Sequence, residues 1–528
     1  MAKPAITIKF RLCFFSLLFG FLFLFYSPLL AGEKKLIMNL SADASYLNPI
    51  LYTDNVSGSV VGLVFNGLVK VNEKLEIVPD LAERWQVSAN GRSWTFYLRK
   101  NVFWHDGAPF TAEDVKFTFD KVLDPKTNTV RAGDFIINGK PIKFKVISPQ
   151  IFQAILPEPF APFLVSMSLG ILPKHLLEKE DINHTKFNRA PVGTGPFKFI
   201  NWKAADYLEL VAFDRYFLGR PKIKRVIFRI IPNPTARLIS LELGEVDEES
   251  VPPMYFERIK KNQRLRIFEY PVLAYTFLGL NLKKPLFSDL GVRQALAYAI
   301  NRVELVNSIL LGHGLPCYAP TVPVSWAYTD EILKFEYQPE KAAEILKNLG
   351  WQKGSDGILI KNGEKFEFTV FTNQGNAERE KAAVIIQQQL KKIGVKMNIQ
   401  VMEWGALIKR INGPEPKDFE AVFMGWSLGI DPDDYTIWHS SQYPNGFNFI
   451  GYSNQQVDRL LEAGRRTLNK TQRKVIYRRL YQIISEEQPY IFLWTARALE
   501  AVNKKIKNLA PPGPAGLFIN MEQIDLEE

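Results

Sequence analysis

The chain is predicted to fold as an α/β protein of two lobes joined by strands that run between them. Three observations predict this. At 528 residues it is too long for a single hydrophobic core. Its second half alternates helical and strand patterns. Two apolar stretches, 275–282 and 489–494, are uninterrupted and suit strands that cross between bodies. Charged residues make up 23% and hydrophobic ones 47%, a balance that buries a core and excludes a disordered chain.

The elements follow in order. Residues 36–40 open as a short strand, broken at Tyr46-Leu47-Asn48-Pro49, and 56–68 reads as a helix ending near Gly67. Trp85 and Trp94 flank Asn90-Gly91, a strong hairpin signal. Asp106-Gly107 makes a turn. Thr111 then stands three residues before Asp114 and caps a helix reaching Leu123, with Phe110 and Val115 in staple positions and Asp124-Pro125 as the stop. Strands are expected at 197–202, 226–231 and 275–282. Val292, Leu296, Ala299, Val303, Val306 and Leu310 step by four and three, predicting one amphipathic helix of about five turns with a solvated polar face. Beyond it come a helix at 339–349, a hairpin over 358–372 turning at Asn362-Gly363, a helix at 377–393, strands at 395–403 and 419–426, and two helices between 454 and 487.

The only membrane-like run is N-terminal. Lys3, Lys9 and Arg11 precede an almost wholly apolar stretch from Leu12 to Leu30, with Ala31-Gly32 before Glu33. That is a secretory signal, although Leu29 is a poor residue three positions before a cut after Ala31. The run is also long enough to span a bilayer, so a retained anchor is the alternative. Without the leader, the net charge of +11 falls to about +8, too mild and too scattered for nucleic-acid binding. Cys317 is the only cysteine beyond the leader, so no internal disulfide forms.

Enzyme machinery is sparse. The histidines His105, His175, His184, His313 and His439 include no pair at helical ligand spacing, H-E-x-x-H and C-x-x-C are both missing, and G-x-S-x-G occurs once, at Gly425-Trp426-Ser427-Leu428-Gly429. The glycines at 193 and 195 lack the Lys-Ser/Thr of a phosphate loop, so they read as a tight turn into the following strand. No cofactor and no metal site is expected.

Three strings point elsewhere. L-R-K-N-V-F-W-H-D-G-A-P-F-T-A-E-D-V at 98–115, P-V-G-T-G-P-F at 191–197 and V-R-Q-A-L-A-Y-A-I-N-R at 292–302 together resemble the family 5 extracellular solute-binding proteins. These are dipeptide, oligopeptide and nickel receptors of ABC importers. The resemblance implies a bilobal periplasmic-binding-protein-like fold (type II, cluster C) with an extra subdomain in the first lobe. It assigns 33–72, 190–280 and 488–528 to lobe I, 73–189 to the subdomain and 281–487 to lobe II. Function follows as capture of di- to oligopeptides between the lobes, without turnover, by a monomer that delivers them to membrane permease subunits. A nickel or metal-chelate receptor, an oligosaccharide receptor, and an exported chaperone or enzyme are the alternatives.

The candidate ligand loop is M-G-W-S-L-G-I-D-P-D-D at 424–434, a buried strand ending in glycines and carboxylates. The resemblance implies that Trp426, Ser427 and Gly429 line the cleft, with Asp431, Asp434 and Tyr435 beyond them. It also implies that Trp404 packs on ligand side chains. Trp438 carries a weaker version of the same expectation, and Arg131 and Tyr275 are candidates for a ligand carboxylate. In the family an aspartate three residues after the tryptophan pairs with a peptide's amino terminus; here that position is Gly429. A buried ammonium without a counter-charge costs several kcal/mol against the about −8 kcal/mol of micromolar binding. Either Asp431 or Asp434 reaches the amine, or the ligand has no free amine. Asp431-Pro432 also suits a helix N-cap, and both readings stand at this point.

Overall fold

The computed structural model describes residues 34–527, and the expected leader lies outside them. The first sheet runs in the order Lys35–Leu40, Arg225–Ile230, Tyr207–Ala212, Phe197–Lys203, with the first pair parallel and the others antiparallel. Burial alternates strictly along Tyr207–Ala212 and Arg225–Ile230. Leu208, Leu210, Val226 and Phe228 therefore share one core with Val60 and Val64 of the helix Asn55–Val64. That helix stops three residues before Gly67 because Phe65 is extended (φ −122°, ψ 152°). Residues 65–68 then pass so close to Ser168 that a Cβ on Gly67 would meet its backbone at 2.5 Å.

A second four-stranded sheet carries the subdomain, in the order Ala82–Val87, Ser93–Leu98, Ile151–Ile155, Lys143–Ser148. The Asn90-Gly91 turn forms, with Gly91 at φ 69°. The helix Ala112–Leu123 begins with the full capping box: Glu113 N–H donates to Thr111 Oγ1 (3.3 Å) and Thr111 N–H to Asp114 Oδ2 (2.9 Å). Its Phe119 stacks on Phe144 and Phe152 across the sheet.

The largest sheet has eight strands. Tyr490–Asn503, a single strand of 14 residues, is its axis. The C-terminal half pairs with Glu248–Ser250 and Leu265–Pro271. The N-terminal half pairs with Ala274–Leu280 and Gly314–Pro316. From Ala274–Leu280 the sheet continues through Ala421–Ser427, Glu367–Asn373 and Lys396–Met402. Two cores cover the faces of this second-lobe portion. One holds Leu296, Ala383, Ile386 and Phe423, and the other Tyr275, Phe277, Trp438 and Tyr490.

One expectation needs correction. The five-turn helix over 292–310 is two helices, Leu290–Ala299 and Arg302–Ile309. Asn301 breaks it by capping the second, its side chain accepting from Glu304 N–H at 3.0 Å. The polar face is not solvated either. Arg302 is buried and donates to the carbonyls of Phe492 (2.6 Å), Phe335 (2.8 Å) and Ala297 (3.0 Å). Burial lowers its pKa to about 10. Arg293 likewise donates to Glu487 O (2.8 Å) and Phe287 O (2.9 Å). The periodicity guided burial at five of its six positions, Val303 being 54% exposed, and two arginines of this helical stretch serve as staples for loop carbonyls.

Candidate functional site

Strand Ala421–Ser427 delivers the loop. Trp426 pairs with Tyr275 and Ser427 with Ala274, and Leu428 N–H extends the ladder to Leu273 O at 2.7 Å. Past that point Ser427 and Gly429 are exposed. The Trp426 ring lies parallel to Phe277 (6.2 Å, 15°) and edge-on to the exposed Phe447 (5.6 Å). It therefore caps the core from the outside. Trp404 opens the helix Trp404–Ile411, with Glu403 as its N-cap, and is 49% exposed.

All three loop carboxylates are accounted for. Asp431 receives the Arg473 guanidinium through two bonds of 2.6 Å each. The same Arg473 donates to Gly464 O (2.9 Å) and Tyr477 Oη (3.2 Å), and its pKa is raised by the carboxylate against the pull of burial. Asp431 caps nothing: the next helix, Tyr435–Trp438, starts four residues later. Asp433 takes Arg465 Nε on both oxygens (3.0 and 2.9 Å). Asp434 is 8% exposed, and burial followed by repulsion from Asp433 and Asp431 drives its pKa well above the usual carboxylate range. It sits in the aromatic core with Tyr275, Tyr481 and Tyr490, whose hydroxyl pKa values its charge helps to raise.

Arg465 also reaches the segment at Phe160-Ala161. Its guanidinium covers the Tyr435 ring (3.7 Å) and lies 5.5 Å from that of Phe160, while its carbonyl accepts from Ala161 N–H at 2.7 Å. Arg466 pairs with Glu158 at 3.2 Å. A second junction joins His313 to Glu269 (3.3 Å) and to the Phe256 ring (4.3 Å). Beside that junction is a cavity of about 300 Å³ whose walls include Pro234, Arg237, Glu249, His313 and Glu378, with Arg497 on the strand Tyr490–Asn503.

The remaining candidates are already engaged. Trp438 is wholly buried and Tyr275 nearly so. Arg131 donates to Pro49 O (3.1 Å) and Tyr52 O (3.4 Å) and lies over the Tyr52 ring.

The sequence profile described as bacterial extracellular solute-binding proteins, family 5 middle, matches residues 76–448. The chain belongs to this family. The oligopeptide-binding protein AppA of Bacillus subtilis is 37% identical over 466 residues, covering 87% of this chain and 86% of AppA. The structure of AppA in complex with a nonapeptide superimposes with a TM-score of 0.79 at 35% identity, covering 94% of this chain and 99% of that one. NikZ from Campylobacter jejuni in complex with Ni(L-His) gives 0.82 at 30% identity, covering 93% and 99%. Family 5 receptors are extracytoplasmic, and this one shares their bilobal α/β fold.

Two of the strings that mark the receptor family meet in a structural joint rather than in the cleft. His105 N–H donates to Gly193 O (2.9 Å), Gly193 N–H donates to His105 Nδ1 (3.1 Å), and His105 Nε2 lies 3.0 Å from Gly195 O. Nδ1 accepts, so the proton is on Nε2 and the ring is neutral. Burial, aided by Lys198, lowers its pKa to about 4. The unfolded chain keeps a value near 6.5, so the joint contributes fully above pH 6.5. Its contribution is lost as pH falls from about 6.5 to about 4, by roughly 3 kcal/mol. Buried Asp80, raised to about 6, titrates with the opposite sign over an overlapping range. The measurement is therefore the difference in urea midpoint between wild type and His105→Ala across pH 7.5 to 4. We expect the gap to shrink as pH falls; a constant gap would contradict the neutral-ring joint.

Sequence reasoning missed Glu378, Arg379, Arg465 and Arg473. The first two open an ordinary amphipathic helix and the others end or line helices, so nothing local distinguishes them from solvated charges.

Proposed function

We propose that this receptor captures peptides between its lobes and presents them to the permease of an ABC importer. The observation that carries the reading is the inter-lobe cavity, walled by both lobes and the strand they share. The likeness to AppA across nearly the whole of both chains, and the nonapeptide in that protein's structure, supports peptides as the ligand class. Trp404, Trp426, Ser427, Gly429 and Tyr435, none of which lines that cavity, form a separate ligand-facing edge in this reading, with Asp431 and Asp434 holding the loop from beneath. The crossing points in this reading move from 280–281 and 487–488 to 271–274 and 494–497, where the pairing of Tyr490–Asn503 changes partners. Closure is a population shift toward the form joined at Ala161–Arg465 and Glu158–Arg466. Residues 1–32 act as the export signal or as a retained anchor.

A second reading, a nickel–histidine chelate as cargo, is favoured by the likeness to NikZ. Thermal-shift screening separates them. Peptides of two to five residues at about 100 times Kd should stabilise the protein by about 2.7 kcal/mol and be recovered intact by mass spectrometry. Stabilisation by Ni(L-His) or by oligosaccharides alone would overturn the peptide assignment, and consumed peptide would overturn the receptor role.

A further inference from the structure

The charges around the inter-lobe cavity are matched, with one exception. Arg237 Nε lies 3.1 Å from both oxygens of Glu249. Glu269 is shared by His313 (3.3 Å) and Arg497 (3.7 Å). Glu378 also lines the cavity, and among the described residues its carboxylate has neither an ion pair nor a hydrogen bond. The adjacent Arg379 does not serve it. Its Nη1 donates to Asn373 Oδ1 (2.9 Å), and its Nη2 lies over Gly425, where an added Cβ would be 3.0 Å away. The loop carboxylates offer no substitute, because Asp431 and Asp433 hold arginines and Asp434 is enclosed in the core.

We propose that Glu378 is the cation receptor of the cleft, accepting the ammonium or guanidinium group of the bound ligand. The cation is an amino terminus or a basic side chain, and this rests on the reading that peptides bind between the lobes. A carboxylate left alone in a closing cavity is desolvated without compensation, whereas a charged donor satisfies it. Burial already raises the Glu378 pKa, with Arg379 opposing only weakly enough to leave a net rise. Glu378 also stands in the first turn of Ala377–Lys392, where a negative charge favours the helix. That role is indifferent to ligand, so binding distinguishes the two.

Calorimetry with three probes tests the proposal: tetra-alanine, its N-acetyl form, and an N-acetylated tetrapeptide carrying one lysine. Wild type should bind at least one of the charged probes more tightly than acetyl-tetra-alanine. Glu378→Gln should weaken that charged probe by a factor of about 10 to 100 and leave the acetylated one unchanged. Glu378→Asp should recover part of the loss, and the ligand-free melting temperature should stay as in wild type. Equal losses for charged and uncharged probes, or no loss at all, would overturn the role of Glu378 while leaving peptide capture intact. Failure of all three probes to bind wild type would remove the peptide reading, and this inference with it.

Discussion

Replacing Arg473 with alanine will destabilise the folded receptor by about 3–5 kcal/mol. The guanidinium is almost wholly buried and satisfies three partners at once: Asp431 through two 2.6 Å bonds, Gly464 O and Tyr477 Oη. Deleting it strands Asp431 at a site only 12% exposed. A lone buried carboxylate is worse than no charge at all. Asp431→Asn together with Arg473→Met should therefore lose less than Arg473→Ala alone. Urea unfolding of the single and double variants gives both numbers, and simple additivity would show that the pair is not coupled. The same substitution should weaken ligand binding, since Asp431 anchors the segment between Gly429 and Tyr435. Ligand affinity in the double variant, where the charge is gone but the volume is kept, tells anchoring from direct contact.

Gly193→Ala will be at least as damaging, with a loss of about 4 kcal/mol or more. An added Cβ would lie 1.8 Å from Val64 O and 2.7 Å from its carbonyl carbon. Neither atom is free to retreat: Val64 O already accepts Gly195 N–H at 2.8 Å, and Val64 ends a buried helix. Gly193 is also held from the other side by His105. Gly133→Ala is the control, since nothing lies within 4 Å of its added Cβ, and it should change stability by no more than about 0.5 kcal/mol. Soluble yield and urea midpoint measure both, and a Gly193→Ala protein as stable as wild type would show that the joint yields.

Much of this architecture was legible in the residues. The Asn90-Gly91 turn and the Thr111–Asp114 cap are local signals, and each formed where local chemistry required. Asn301 was equally local, yet the apolar period running through it hid the break. The site was less accessible for a different reason. Asp431, Asp433 and Asp434 look alike in sequence, and what separates them is a distant partner: Arg473, Arg465, and none. Asp431 and Arg473 stand 42 positions apart, and no periodicity encodes such a match. Glu378 was invisible for the converse reason, because its distinction is the partner it lacks.

The strand Tyr490–Asn503 carries a consequence for how this molecule is made. It supplies the neighbour of Leu265–Pro271 in one lobe and of Ala274–Leu280 in the other. Neither body can complete its sheet until 490–503 has been made, after every other strand of that sheet. A nascent chain that stops short of Tyr490 still has an open seam through both halves. Because the piece that locks it shut is the last of its strands to arrive, the chain stays open while its partners wait.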